Sequence, residues 1–230
     1  MPAALDDNGA SRDAILARVR KALRHEAANP KARAEAEAYI AARRQGPRPA
    51  MPGDLVAHFL QRATDMSSTV ERIGALADIP RAVARYLDAL VLPPELETQK
   101  SHVGVCWPEF AALDWSAAGL AIEARPTVGH DRLAVTGCFC AIAETGTLVM
   151  TSGADTPTAS TLLPDTHIAV VRADRIVSGM EEAFARVRAE YGAMPRAVNL
   201  ISGPSRTGDI EQTIVLGAHG PFRLHVLLLG

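Results

Sequence analysis

Aromatic side chains are scarce in this chain, at 4% of its residues. So sparse a set argues against a surface that stacks on bases, and a formal net charge of −2 supplies no field to hold a polyanion. Nucleic acid is therefore not expected as the main partner. Long apolar runs are missing as well: none reaches the roughly 20 residues that span a bilayer, and the first residues lack a basic segment followed by an apolar block. A cytoplasmic protein without a membrane span is expected. Cysteine is rare, and the three present, Cys106, Cys138 and Cys140, leave one over after any pairing, which fits a reducing compartment better than a disulfide framework. Cys138-x-Cys140 has no second ligand pair at metal spacing, so the cysteines read as buried and reduced. No metal and no iron–sulfur cluster is expected on this chain. A G-x-x-x-x-G-K-[ST] motif is also absent, which leaves a P-loop nucleotide site unsupported.

What is present is ordinary globular material, 48% hydrophobic in 230 residues, enough for one domain with a substantial core and an arm. Ser11 is a good N-cap, and Ile15, Leu16, Val19 and Leu23 recur behind it at helical spacing among Arg18, Arg20, Lys21 and Arg24. That basic amphipathic pattern reads as a solvated face before it reads as a membrane surface. Residues 29–44 are rich in Ala, Glu, Lys and Arg, a helix-favouring mixture with little to bury beyond Tyr39 and Ile40. The stretch QGPRPAMPGD then stacks three prolines and two glycines, the mark of a linker. The expected division is a helical arm with its linker over 1–50 and a domain over 51–230.

Beyond the linker the pattern alternates. Leu55, Val56, Phe59, Leu60 and Ala63 mark a helix, STVERI a short strand, and Val83, Tyr86, Leu87 and Leu90 a second helix that Pro80 opens. HVGVCW reads as a buried strand and AIEA as a further one. Residues 132–135 and 147–151 read as strands in the middle of the sheet, flanking a short element with Cys138, Phe139 and Ile142. THIAVVRAD is another strand, followed by a helix stepping through Ile176, Met180, Phe184, Val187 and Tyr191 to Gly192. AVNLIS and RLHVLLL complete the set. Strands alternating with helices predict an α/β fold with a mainly parallel sheet and helices on its faces.

Chemically suggestive residues gather between Ser202 and Gly220. Gly203 and Pro204 break the chain after an apolar segment, and such a turn can aim successive N–H groups at one spot, with the Ser202, Ser205 and Thr207 hydroxyls as further donors. Arg206 can take a carboxylate or phosphate through two parallel hydrogen bonds, or it can simply pair with Asp209 or Glu211. His219 can shuttle a proton or tie a turn. A second stretch, AIAETGTLVM, sets Glu144, Thr145 and Gly146 before a strand, where Glu144 can serve as base, acid or nucleophile, or cap the turn. TSGADTPTAS is either a pocket wall or a solvated loop. Because ligands of open α/β sheets sit beyond the carboxyl ends of the strands, both motif turns are expected at that rim. His167 and His225, in apolar strands, read as structural.

Together ETGT and SGPSRT-x-DIE, followed by LGAHGP and a final hydrophobic strand, resemble the LUD domain, most closely the lactate utilization protein C family. The resemblance runs from about Asp54 onward; Gly208 stands where that family more often has alanine. It implies a three-layer α/β fold, a sheet with helices on both faces, of the kind shared by sugar-phosphate isomerases and CoA transferases. It implies a role in bacterial oxidation of L-lactate to pyruvate beside partner subunits that carry iron–sulfur clusters. Under it, Glu144, His219 and Glu211 are the candidate catalytic groups. Thr145, Gly146, Ser202, Gly203, Ser205, Arg206, Thr207 and Asp209 are the candidate contacts to a small anionic ligand. A stand-alone transferase or isomerase using Glu144, and a non-enzymatic assembly or sensory factor, are the alternatives.

Overall fold

The computed structural model describes residues 8–23, 29–92, 101–207 and 215–230, and the chain divides into two compact units, Met1–Pro49 and Ala50–Gly230. The first holds helices α1 (Asn8–Ala22) and α2 (Pro30–Ala42). Ser11 lies inside α1, which starts four residues earlier than a cap at Ser11 implies. Asn29 caps α2: its side-chain oxygen accepts from the Lys31 and Ala32 amides, and Pro30 loses no hydrogen bond in the first turn. With no large apolar face to hide, α2 buries none of its residues, and Ile15, Val19 and Leu23 stay exposed along α1.

In the second unit, helix α3 (Leu55–Asp65), capped by Asp54, leads into strand β1 (Thr69–Ile73), and helix α4 (Ile79–Ala89) follows. Next come β2 (Val103–Cys106), two short 3-10 turns, β3 (Ala121–Ala124) and β4 (Leu133–Thr136). Then follow β5 (Cys140–Ile142), β6 (Thr147–Thr151), β7 (Thr166–Arg172), β8 (Ile176–Val177), helix α5 (Met180–Tyr191) and β9 (Val198–Ile201). The hairpin β10 (Arg206–Thr207) with β11 (Val215–Leu216) precedes β12 (Arg223–Leu229).

Six strands form one parallel sheet in the order β1-β12-β7-β4-β2-β3. Alternate residues divide its faces, as the strand period of two requires. Val135, Ile168, Val170 and Leu227 meet α4 through Ile79, Ala82, Val83 and Leu87. Ala169, Val171, Leu224, Val226 and Leu228 face the other way, against Phe59 and Ala63 of α3 and against Ala141, Leu148 and Met150 of a second sheet. That second sheet has the order β8-β5-β6-β9, with β6 antiparallel to both its neighbours. Its outer face, Cys140, Ile142 and Val149, packs on Ala183 of α5.

The α/β class and the parallel sheet with helices on both faces agree with the sequence reading; two details do not. β4 and β6, both expected in the middle of one sheet, belong to different sheets. All residues of both strands are buried, and a strand buried on both faces carries no alternation to say which sheet it joins. Ile176, expected in a helix, pairs with Ala141 in β8, and α5 starts only at Met180.

Candidate functional site

The two motif turns meet at one corner of the domain, the amino end of the large sheet. α3 runs towards that end, since it hands the chain to β1. Gly146, in the β5–β6 turn, has φ +66, and a Cβ there would stand 2.4 Å from the Ala63 amide nitrogen. Gly203, after β9, has φ +79, and its Cβ would stand 2.0 Å from the Met66 carbonyl oxygen. Only glycine combines the left-handed backbone with so close an approach, so both turns are seated on the last turn of α3. A chain of hydroxyls joins them: Thr145 Oγ1 lies 2.6 Å from Thr147 Oγ1, which lies 2.6 Å from Ser202 Oγ. Thr145 and Ser202 are both exposed at its two ends. The Arg206 guanidinium, also exposed, donates to the Ser67 hydroxyl just before β1.

The backbone around Ser205 is less open than an anion nest requires. Its N–H donates to the Pro221 carbonyl at 2.9 Å, and its hydroxyl accepts from the His219 amide at 3.3 Å. His219 therefore approaches the motif through its backbone, and its side chain is exposed. Glu144 is partly buried, with its amide bonded to the Ser178 carbonyl. Thr207 closes the β10–β11 pair opposite Val215. Asp209 and Glu211, candidate site residues and the alternative partners of Arg206, lie outside the described residues, as does Gly208.

Both motif turns thus stand at the opposite end from the rim anticipated for them. The carboxyl ends of β1, β2, β4 and β7 bound a different feature, a cleft of about 70 Å³ lined by Leu76, Glu109, Phe110, Gly137, Cys138, Val170 and Arg172. Each lining residue falls at or just past one of those strand ends, as a parallel sheet dictates. Glu109 is exposed as a residue, but its carboxylate is turned in over Gly137, where a Cβ would stand 2.2 Å from Oε1. Desolvation against the apolar wall raises its pKa, while the Gly137 N–H and the positive charge of Arg172 pull the other way. Burial likewise raises the pKa of the Cys138 thiol. No motif in the sequence flags Glu109, Gly137 or Arg172; the only signal is that each stands at or soon after the end of an apolar strand.

Elsewhere the candidate groups have local partners, although the buried Ser160 hydroxyl, His167 Nδ1 and His225 Nε2 make no hydrogen bond. In TSGADTPTAS, Ser152 and Ala197 exchange two hydrogen bonds and Thr156 Oγ1 donates to the Thr151 carbonyl. This loop leaves β6 at the end away from the ETGT turn, so it does not wall the Arg206 corner. His167, fully buried, bonds Thr136 Oγ1 at 2.8 Å. His225 bonds Thr69 Oγ1 at 2.7 Å and stacks on Tyr86. All three cysteines are free; Cys106 and Cys140 are buried and Cys138 is partly exposed. Among the described residues no three His, Cys, Asp or Glu side chains gather as a metal site, and no helix is long and apolar enough to cross a membrane.

A family model described as the LUD domain matches residues 107–229. The chain is 32% identical over 191 residues to lactate utilization protein C of Deinococcus radiodurans, covering 80% of this chain and 84% of that one. It is 34% identical over 123 residues to lactate utilization protein C of Bacillus licheniformis, covering 51% and 50%. Among solved structures it is similar to a crystal structure titled a DUF162 family protein from Deinococcus radiodurans, with a TM-score of 0.56 and 26% identity, covering 79% of this chain and all of that one.

Proposed function

Because this chain belongs to the LUD domain family, with lactate utilization protein C among its relatives, we propose that it is a subunit of an iron–sulfur-dependent system that oxidises L-lactate to pyruvate. The clusters belong to partner subunits, and this chain holds a small anion at the Arg206 corner. The observation that carries the site assignment is the hydroxyl chain Thr145–Thr147–Ser202, which ties turns 55 residues apart to the same helix end as Arg206. Ser67 steadies the guanidinium in the open, so a carboxylate arriving there finds a positioned cation beside exposed hydroxyls. Glu144, on the ETGT turn, is the nearby group suited to move a proton.

The test is affinity purification of the tagged chain from its own cells under anaerobic conditions, with lactate-dependent dye reduction as readout. Iron–sulfur subunits are expected to co-purify, and Arg206→Ala is expected to lower the activity at least tenfold with the chain still folded. A solitary chain, or full activity in Arg206→Ala, counts against the reading.

A further inference from the structure

The cleft at the carboxyl end of the sheet has no part in the Arg206 corner. β7 alone, seven residues at roughly 3.3 Å each, separates the two ends by about 20 Å. It also combines groups that a purely structural crevice does not need. Leu76, Phe110 and Val170 supply an apolar lining, and beside it stand a carboxylate and a guanidinium that form no ion pair with each other. The hydrogen-bond partner of Arg172 is Asp174, through Nε at a long 3.4 Å on the exposed side, which leaves the paired Nη edge to a bidentate acceptor. The carboxylate of Glu109 is held over the Gly137 backbone, which comes that close only because it has no side chain.

We propose that this cleft is a second ligand site, which takes a small monocarboxylic acid bearing a 2-hydroxy or 2-oxo group. The ligand carboxylate lies on the Arg172 guanidinium. The 2-substituent meets Glu109, which accepts a hydrogen bond from a hydroxyl when ionised and donates one to a carbonyl oxygen when protonated. The short hydrocarbon end rests against Leu76, Phe110 and Val170. A volume of about 70 Å³ suits an acid of a few carbons. The proposal stands on the cleft itself, independent of iron–sulfur partners and of the anion at Arg206.

Calorimetric titration of the full purified chain with L-lactate, pyruvate and propionate tests it, propionate lacking the second polar group. Saturable binding of lactate or pyruvate is expected, with propionate at least tenfold weaker. Arg172→Gln is expected to weaken lactate and pyruvate at least tenfold. Gly137→Ala, which pushes the Glu109 carboxylate out of the cleft, is expected to erase the preference over propionate. Thermal midpoints close to that of the parent chain establish that each variant is folded. No saturable binding of any acid, no preference over propionate in the parent chain, or undiminished lactate and pyruvate binding in folded Arg172→Gln, each overturns the proposal.

Discussion

A methyl group at Gly203 must both occupy a left-handed backbone and push into the Met66 carbonyl. The backbone cost alone is about 1–2 kcal/mol, and the neighbour is main chain that cannot swing aside. Gly203→Ala is therefore expected to lose about 2–4 kcal/mol in urea unfolding. A second residue-scale prediction concerns acid. Burial holds the pKa of His167 and of His225 down to about 4, against an ordinary value of 6.5. Between those values the unfolded chain binds protons that the folded one refuses. Each histidine therefore withdraws up to about 1.4 kcal/mol of stability per pH unit as pH falls from about 6.5 towards 4, and the loss ends below 4. Urea midpoints at pH 7, 6 and 5 should decline in that order; a flat series would show that neither ring stays neutral in the fold. At this scale the sequence was informative about residue type. The apolar settings of His167 and His225 pointed to buried positions, whereas the motif glycines read as turn formers and ligand contacts, and their close packing on α3 was not legible. Glu109 did not stand out, because an acid after Trp107-Pro108 looks like any solvated turn until the fold lays it over Gly137.

Among the elements, α3 has an importance its eleven residues do not advertise. Its inner face fixes the helix on the sheet, and its last turn receives both motif turns. Phe59 is fully buried in that seat. Phe59→Ala should cost about 3–5 kcal/mol and, by loosening the helix end, should weaken anion binding at the Arg206 corner more than at the carboxyl-end cleft. Equal weakening at both sites would mean that α3 acts only through global stability. Helices α3, α4 and α5 and most strands were readable because each has a one-sided apolar period or a compact β-branched run. The β8 pair was not, since Ile176 also continues the helical spacing of Met180 and Val187, and only pairing with Ala141 decides it. The assignment of β6 to a second sheet was beyond local pattern for a related reason: its partners, β5 and β9, are decided by register and not by composition.

For the whole molecule, every large buried side chain among the described residues lies in the unit from Ala50 onward. A chain beginning at Ala50 is accordingly expected to fold cooperatively, with a thermal midpoint within a few degrees of the full chain's, as circular dichroism would record. A collapse of the transition would assign the arm a share of the core. The sequence conveyed the α/β class and a sound family resemblance. It misled about the end of the sheet where the motifs stand, because alternating strands and helices say nothing of which loops cross which rim. That is settled by chain direction, and here β5 and β9 carry both motifs towards the amino end.

The position of β12 has a consequence for how the protein is made. It follows every other strand in the sequence, yet it pairs with β1 on one side and β7 on the other. During synthesis, β1 and α3 emerge early and must wait unpaired at the sheet's edge until the last strand leaves the ribosome. Only then does β1 join the four strands β7-β4-β2-β3. The nascent chain thus exposes the edge of β1 from early in its translation and that of β7 once it is made, the situation in which a holding chaperone matters most.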